Sequence, residues 1–240
     1  METANHRAET GAFLAIETSV PDASIALWCD GEVIYQKDFT SDRNHNSMVF
    51  EPLAEALDLL GERTLDAVLV GTGPGSYSGV RTGIAAGQGV ALTHGCPAVG
   101  LGSLAATPCS RAADAETVSL AIGDARRGLY FLAEIDPGGE AAEPELMDVA
   151  EFQQRLQQSA EANPLNLFTL DDPAAPWLDG MSLPGQVTRT RPQAQGLIGV
   201  WLGLSETRRA EMVRLPLAPC YLRPPFTSKA KPGHPLLRTP

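Results

Sequence analysis

The chain has 240 residues, 43% of them hydrophobic, and a net charge of −11, enough for one large domain or two small ones whose cores need no covalent staples. Residues 1–120 hold 6 Lys and Arg against 15 Asp and Glu, and residues 121–240 hold 12 against 14; a protein that grips nucleic acid alone needs a basic surface, and the acidic first half opposes that role. No apolar run reaches the roughly 20 residues of a bilayer span, and the polar stretch Met1 to Gly11 carries no apolar signal core, so the expectation is a cytoplasmic protein without membrane association.

In chain order, Phe13 to Ile16, Ser24 to Trp28 and Glu32 to Phe39 read as three strands joined by short polar turns, an antiparallel meander. Met48, Phe50, Leu53, Leu57 and Leu60 recur at helical spacing and Gly61 stops the run, so a helix is expected over Ser47 to Leu60. Pro52 falls near its start, where a missing N–H is tolerated. Leu65 to Val70 is a buried-strand run, followed by the glycine-rich loop Gly71 to Gly79, a helix from about Val80 to Thr93, a short strand at Ala98 to Val99, and a short helix that Ser103 can cap.

A second unit begins near Val118. Thr117 to Ile122 and Gly128 to Ile135 form an expected hairpin, Asp136 to Gly139 a turn, Ala150 to Ser159 a helix, Leu165 to Leu170 a strand and Gln193 to Leu204 a further helix. Pro173 to Arg191 reads as loop. Both units open with hairpin strands around a small polar turn, a weak internal repeat. The expected organisation is a disordered lead-in over 1–12, lobes over 13–116 and 117–223, and a Pro-rich basic tail over 224–240.

The glycine loop is the strongest local signal. A strand that ends in a glycine turn and opens a helix aims free N–H groups at one point, a geometry that suits phosphate. The loop has neither the Lys-Ser/Thr ending of a Walker A motif nor a clean Gly-x-Gly-x-x-Gly, and a tight structural turn explains it equally. Glu17-Thr18-Ser19 and Asp124 sit at hairpin tips of the two units, where a phosphate or metal-bound water on one hand and ordinary turn chemistry on the other are both open. The helix after the loop carries Gly83, Ala86, Gly87 and Val90 on one stripe, which fits either close packing on its own core or approach of a partner helix.

Catalysis finds no assembled constellation in the sequence. Cys29, Cys96, Cys109 and Cys220 are far apart with no Cys-x-x-Cys pair, the four histidines include no His-x-x-x-His or His-Glu-x-x-His spacing, and Ser76 and Ser78 lack a nucleophile elbow. Neither a metal nor a cofactor is expected.

Together, Leu14 to Ser19 (Leu-Ala-Ile-Glu-Thr-Ser), Gly73 to Ile84 (Gly-Pro-Gly-Ser-Tyr-Ser-Gly-Val-Arg-Thr-Gly-Ile), Asp124 to Tyr130 (Asp-Ala-Arg-Arg-Gly-Leu-Tyr) and the closing Pro219-Cys220-Tyr221-Leu222-Arg223 resemble the TsaB (YeaZ) family of the actin/sugar-kinase/Hsp70 fold superfamily. The resemblance spans most of residues 13–223. It implies an α/β fold of two related actin-like (RNase H-like) lobes, mixed sheets flanked by helices, with the second lobe reduced.

The resemblance also implies a non-catalytic subunit that binds and activates a TsaD-like catalytic protein during threonylcarbamoyl transfer to tRNA adenosine, with a TsaE-like ATPase as third member. tRNA would be met only within that complex, and a homodimer is possible in isolation. The implied partner surface is the first two helices, with His45, Met48, Phe50, Leu53, Arg81, Gly83, Ala86, Gly87 and Val90 as its candidate residues. Thr18, Ser19, Gly73, Gly75, Ser76, Gly79 and Asp124 would be a vestigial nucleotide or phosphate site. The family's His-Ser-Glu before the first helix is His45-Asn46-Ser47 here, and the lost carboxylate would normally favour the helix dipole. The rival readings are a stand-alone actin-fold ATPase or phosphotransferase using Asp124 with the loop, a peptidase-like protein, and a pure tRNA binder.

Overall fold

Apolar strands with alternating inner and outer residues assemble as the sequence predicts. In the computed structural model, which describes residues 10–40, 46–110, 116–136, 138–172 and 175–223, β1 (Ala12–Glu17) pairs antiparallel with β2 (Asp22–Cys29), and β2 with β3 (Glu32–Thr40). The β2–β3 connection is Asp30-Gly31, both at positive φ (47° and 104°), as a two-residue hairpin turn demands. A 3-10 turn (Asn46–Val49) leads into α1 (Phe50–Leu60). Then come β4 (Ala67–Gly71), α2 (Tyr77–His94) and β5 (Ala98–Leu101), the strands adding in parallel to give the order β3-β2-β1-β4-β5.

The second sheet repeats this plan. β6 (Val118–Asp124), β7 (Tyr130–Ile135) and β8 (Glu145–Met147) form a meander; α3 (Val149–Ala162) follows, then β9 (Leu165–Thr169) and β10 (Val187–Arg189) add in parallel. Its order is β10-β9-β6-β7-β8, so each strand from β6 to β10 holds the place of its counterpart from β1 to β5, and α3 holds that of α1. Among the described residues no helix joins β9 to β10 where α2 joins β4 to β5. The architecture is the α/β pair of related actin-like lobes, the second reduced. β8, β10 and α5 (Glu206–Met212) escape the sequence reading: the two strands have three residues each, too few for a periodic signal, and α5 is a short polar helix capped by Ser205.

The first sheet is covered on both sides. Leu14, Ile16, Ile25, Leu27, Val68 and Val70 meet α1 and α2 on one face. Phe13, Ala15, Ala26, Trp28 and Leu69 meet α4 (Ala194–Gly203) on the other, through Leu197, Ile198 and Trp201. The chain thus returns to the first sheet after building the second: α4 packs on the first lobe, while Leu222, later in the chain, packs against the second. Phe13 stacks on Trp28 with centroids 5.3 Å apart and meets the Trp201 ring edge-on. The expected lead-in yields Ala12 to β1, while residues 1–9 and the tail 224–240 lie outside the described residues.

Candidate functional site

α2 begins three residues earlier than periodicity predicts, because Ser76 caps it. The Ser76 Oγ accepts from the Gly79 N–H at 3.3 Å, and the 3-10 turn after β5 offers no comparable cap, since Ser103 lies inside it and accepts instead from the Gly73 N–H at 3.0 Å. The glycine loop presses onto the β1–β2 turn. Thr18 Oγ1 donates to the Gly79 carbonyl (2.8 Å) and the Ser76 N–H to the Ser19 carbonyl (2.6 Å). A Cβ at Gly75 would overlap the Ser19 carbonyl, and one at Gly79 the Thr18 carbonyl. These two glycines are needed for close backbone approach.

Between the lobes lies a cleft of about 790 Å³ whose lining includes Thr18, Ser19, Gly75, Ser76, Gly79 and Asp124. Six of the seven predicted loop-site residues therefore converge, although the first and last, Thr18 and Asp124, are 106 positions apart in the chain. Gly73 is the exception: it lies beneath the loop, with φ 93°, against the Cys220 carbonyl. Arg126, Asp171, Asp172 and Arg189 line the opposite wall. Asp124 is engaged in its own turn, accepting from the Arg126 N–H at 2.7 Å and pairing with the Arg126 guanidinium at 3.2 Å, while its N–H donates to Asp171 Oδ2 at 2.8 Å. Burial pushes the Asp171 carboxyl above its ordinary value, against the opposing pull of the Asp124 N–H and the Trp177 indole at 3.1 Å. Among the described residues no group of three His, Cys, Asp or Glu is placed to hold a metal, and no helix is long and apolar enough to cross a membrane.

Sequence reasoning placed Glu17 in the first hairpin tip and gave its side chain no role. Its side chain is fully buried at the end of β1; Oε1 accepts from the Ser19 N–H at 2.7 Å, and Oε2 has no hydrogen bond of acceptable geometry. Burial holds this carboxyl above the ordinary glutamate range, outweighing the Ser19 and Ser103 hydroxyls that favour the charged form. A single charged letter in an apolar strand was the available signal.

The second candidate region is the outer face of α1 and α2. A groove of about 600 Å³ runs between them, with Leu53 and Val90 as its floor and Phe50, Ala85, Ala86 and Gly89 along its sides. Phe50 is 60% exposed and Leu92 84%, large apolar side chains left in water. Met48 is exposed as well, and His45 lies outside the described residues.

Gly83 and Gly87 correct the expected partner stripe. Both are buried against the chain's own sheet, where a Cβ at Gly83 would overlap Thr18 Oγ1 and one at Gly87 the Val70 side chain. Their smallness lets α2 sit down on β1 and β4. The free face is rotated from them and carries Ala85 and Gly89, where a Cβ at Gly89 would meet no atom within 4 Å. Arg81 is exposed at the head of that face. Its guanidinium carbon sits 4.1 Å from the Tyr77 ring centroid, and its Nε donates to the Tyr221 hydroxyl at 2.6 Å.

Residues 39–192 match the family model described as TsaD: tRNA N6-adenosine threonylcarbamoyltransferase. The tRNA threonylcarbamoyladenosine biosynthesis protein TsaB of Escherichia coli (strain K12) is 37% identical over 125 residues, covering 50% of this chain and 53% of that protein. The protein of the same name from Haemophilus influenzae is 33% identical over 124 residues, covering 49% and 51%. The chain spans about half the length of the curated relatives it matches. Among solved structures, a Pseudomonas aeruginosa protein described as similar to peptidase YEAZ superposes with a TM-score of 0.66 at 22% identity, over 89% of this chain and all of the other. YeaZ from Pseudomonas aeruginosa gives 0.63 at 20% identity over the same shares. These two likenesses are of fold.

Proposed function

Since this chain belongs to the TsaD family and is of its TsaB (YeaZ) type, we propose that it acts in threonylcarbamoyladenosine formation in tRNA as a non-catalytic subunit, binding and activating a TsaD-type protein in the cytoplasm. The observation that carries this reading is the apolar groove between α1 and α2. Phe50 stands exposed along it, Leu92 is exposed elsewhere on α2, and the groove's floor continues directly into the core of the first lobe. A surface of this kind costs free energy in water and gains it back when a partner covers it. The sequence supports a non-catalytic role, since it holds no His-x-x-x-His pair. The acidic first lobe supports tRNA contact through the complex rather than by this chain alone. A TsaE-type ATPase as third component and a homodimer in isolation belong to the same proposal.

The interlobe cleft favours a second reading, a stand-alone ATPase or phosphotransferase using the glycine loop and Asp124. Against it, Thr18 Oγ1 and Asp124 are already engaged by the protein's own backbone and by Arg126.

The deciding experiment is recovery of the tagged chain from its own cells with mass spectrometry of what accompanies it, followed by a transfer assay. Recovery of the TsaD-type protein, and transfer to tRNA that depends on adding this chain, are the expected results. ATP turnover by the purified chain with no TsaD-type protein recovered would instead establish the second reading.

A further inference from the structure

Arg81 is an arginine held in place before anything binds it. Its Nε is spent on the Tyr221 hydroxyl at 2.6 Å, and its plane lies over Tyr77, whose ring stacks on that of Tyr221 at 5.2 Å and 21°. A guanidinium keeps five donors in a rigid fork, and fixing Nε leaves the two terminal nitrogens as a preformed pair. Among the described residues no carboxylate lies within ion-pair distance of them, although the chain as a whole is strongly acidic. Most of the rotamer entropy an arginine loses on binding has been lost here already.

The position is continuous with the groove. Tyr77, Arg81, Ala85 and Gly89 follow at four-residue spacing and share one face of α2, and Thr82, Ala85 and Gly89 line the groove. We propose that the Tyr77–Arg81–Tyr221 clamp is a carboxylate anchor at the edge of the groove, receiving an Asp or Glu side chain of the protein that docks there. This rests on the partner-subunit reading and names the chemistry by which it is recognised. A protein carboxylate suits the site better than an RNA backbone, because α1, whose Phe50 and Leu53 line the groove, also carries exposed Asp58 and Glu51, the latter 4.0 Å from Lys37 Nζ. Those charges repel a polyanion but leave room for a single acid beside an apolar helix.

Tyr221 is a positioning residue in this arrangement. It lies on the closing segment, whose Cys220 N–H donates to the Thr72 carbonyl at 2.8 Å and whose Leu217 and Leu222 join the cores of the first and second lobes respectively. The anchor is therefore set by a residue 140 positions away in the chain and is complete only when the closing segment is seated across both lobes.

The test is calorimetric titration of the purified TsaD-type protein from the same organism into the wild-type chain and into Arg81→Ala, Arg81→Lys, Tyr221→Phe and Gly89→Glu, at low and high salt. Unfolding temperatures establish that each variant is folded. The expected result is salt-weakened binding by wild type and binding about ten-fold weaker, with a flattened salt dependence, for Arg81→Ala. Arg81→Lys should not restore it, because lysine cannot stack and fork in the same way. Tyr221→Phe, which keeps the ring and loses the hydroxyl, should fall between wild type and Arg81→Ala. If Gly89→Glu loses binding while Arg81→Ala keeps wild-type affinity and salt dependence, the groove is the interface and the anchor is wrong. If wild type does not bind, or Gly89→Glu binds as wild type does, the underlying interface reading fails and the anchor with it. Arg81-dependent binding of free tRNA, with the TsaD-type protein indifferent to Arg81, would overturn the choice of a protein carboxylate.

Discussion

Glu17 ends a strand in which every residue is buried, and among the described residues no cation meets its carboxyl. An ionised carboxylate in such a place is costly, so burial favours the protonated form. An unfolded glutamate titrates near about 4.3; the folded value is higher, so above that pH the native state keeps a proton that the unfolded chain has released. The stability linked to this proton is complete below the unfolded value and is lost as pH rises through the folded one. Glu17→Gln keeps an acceptor for the Ser19 N–H and cannot ionise. Its unfolding temperature, compared with wild type from pH 4 to pH 9, should gain steadily on wild type as pH rises and match or exceed it at the alkaline end. A constant offset across the whole range would mean that Glu17 is ionised in the fold. Gly75 and Gly79 act at the same scale but by sterics, holding the glycine loop against the β1–β2 turn at a separation no side chain permits.

α2 is the element in which structure and proposed function meet, and its small residues divide into two sets. Gly83 and Gly87 face β1 and β4; Ala85 and Gly89 face out. Gly83→Leu, which would leave the monomer folded if the stripe were a partner surface, should instead lower its stability by roughly 1 to 3 kcal/mol, because overfilling a packed site forces backbone and rotamers apart. Gly89→Glu should raise helix stability by roughly 0.5 to 1 kcal/mol, since glycine is a poor helix former, while abolishing recovery of the TsaD-type protein. Chemical denaturation and the same tagged recovery read both effects. A destabilised Gly89→Glu would show that the outer face of α2 is covered within the monomer.

For the molecule as a whole, the two lobes share one strand order but not one core. α4 leaves the second sheet and closes the rear of the first, burying Leu197, Ile198 and Trp201 against β1, β2 and β4. Each of these side chains is worth roughly 1.5 to 3 kcal/mol when buried, a sum comparable with the roughly 5 to 15 kcal/mol that holds a domain together. A chain ending at Gln193 keeps all ten strands and loses this cover. It should fail to unfold cooperatively and should bind a hydrophobic dye, as followed by circular dichroism and dye fluorescence; a sharp two-state transition would show that the lobes are stable without the return of the chain.

Strands β1 to β4, the span of α1, the glycine loop and the β6–β7 hairpin were legible in the sequence because their signals are local. Period-2 and period-3.6 apolar patterns, an Asp-Gly turn and glycines between strand and helix each act over a few neighbouring residues. The grouping of Thr18, Ser19, Gly75, Ser76, Gly79 and Asp124 came from the family resemblance and not from any local signal, since each of these residues is equally at home in an ordinary turn, and it is the fold that brings the six to one cleft. Tertiary structure alone decided which face of α2 is free, where α4 packs, that Glu17 lies fully buried at the end of β1, and that Tyr221 clamps Arg81. The reason is the same in each case: a residue's own type and spacing set whether it must be covered, but what covers it comes from a segment distant in the chain, and only the folded arrangement of layers brings that segment into place.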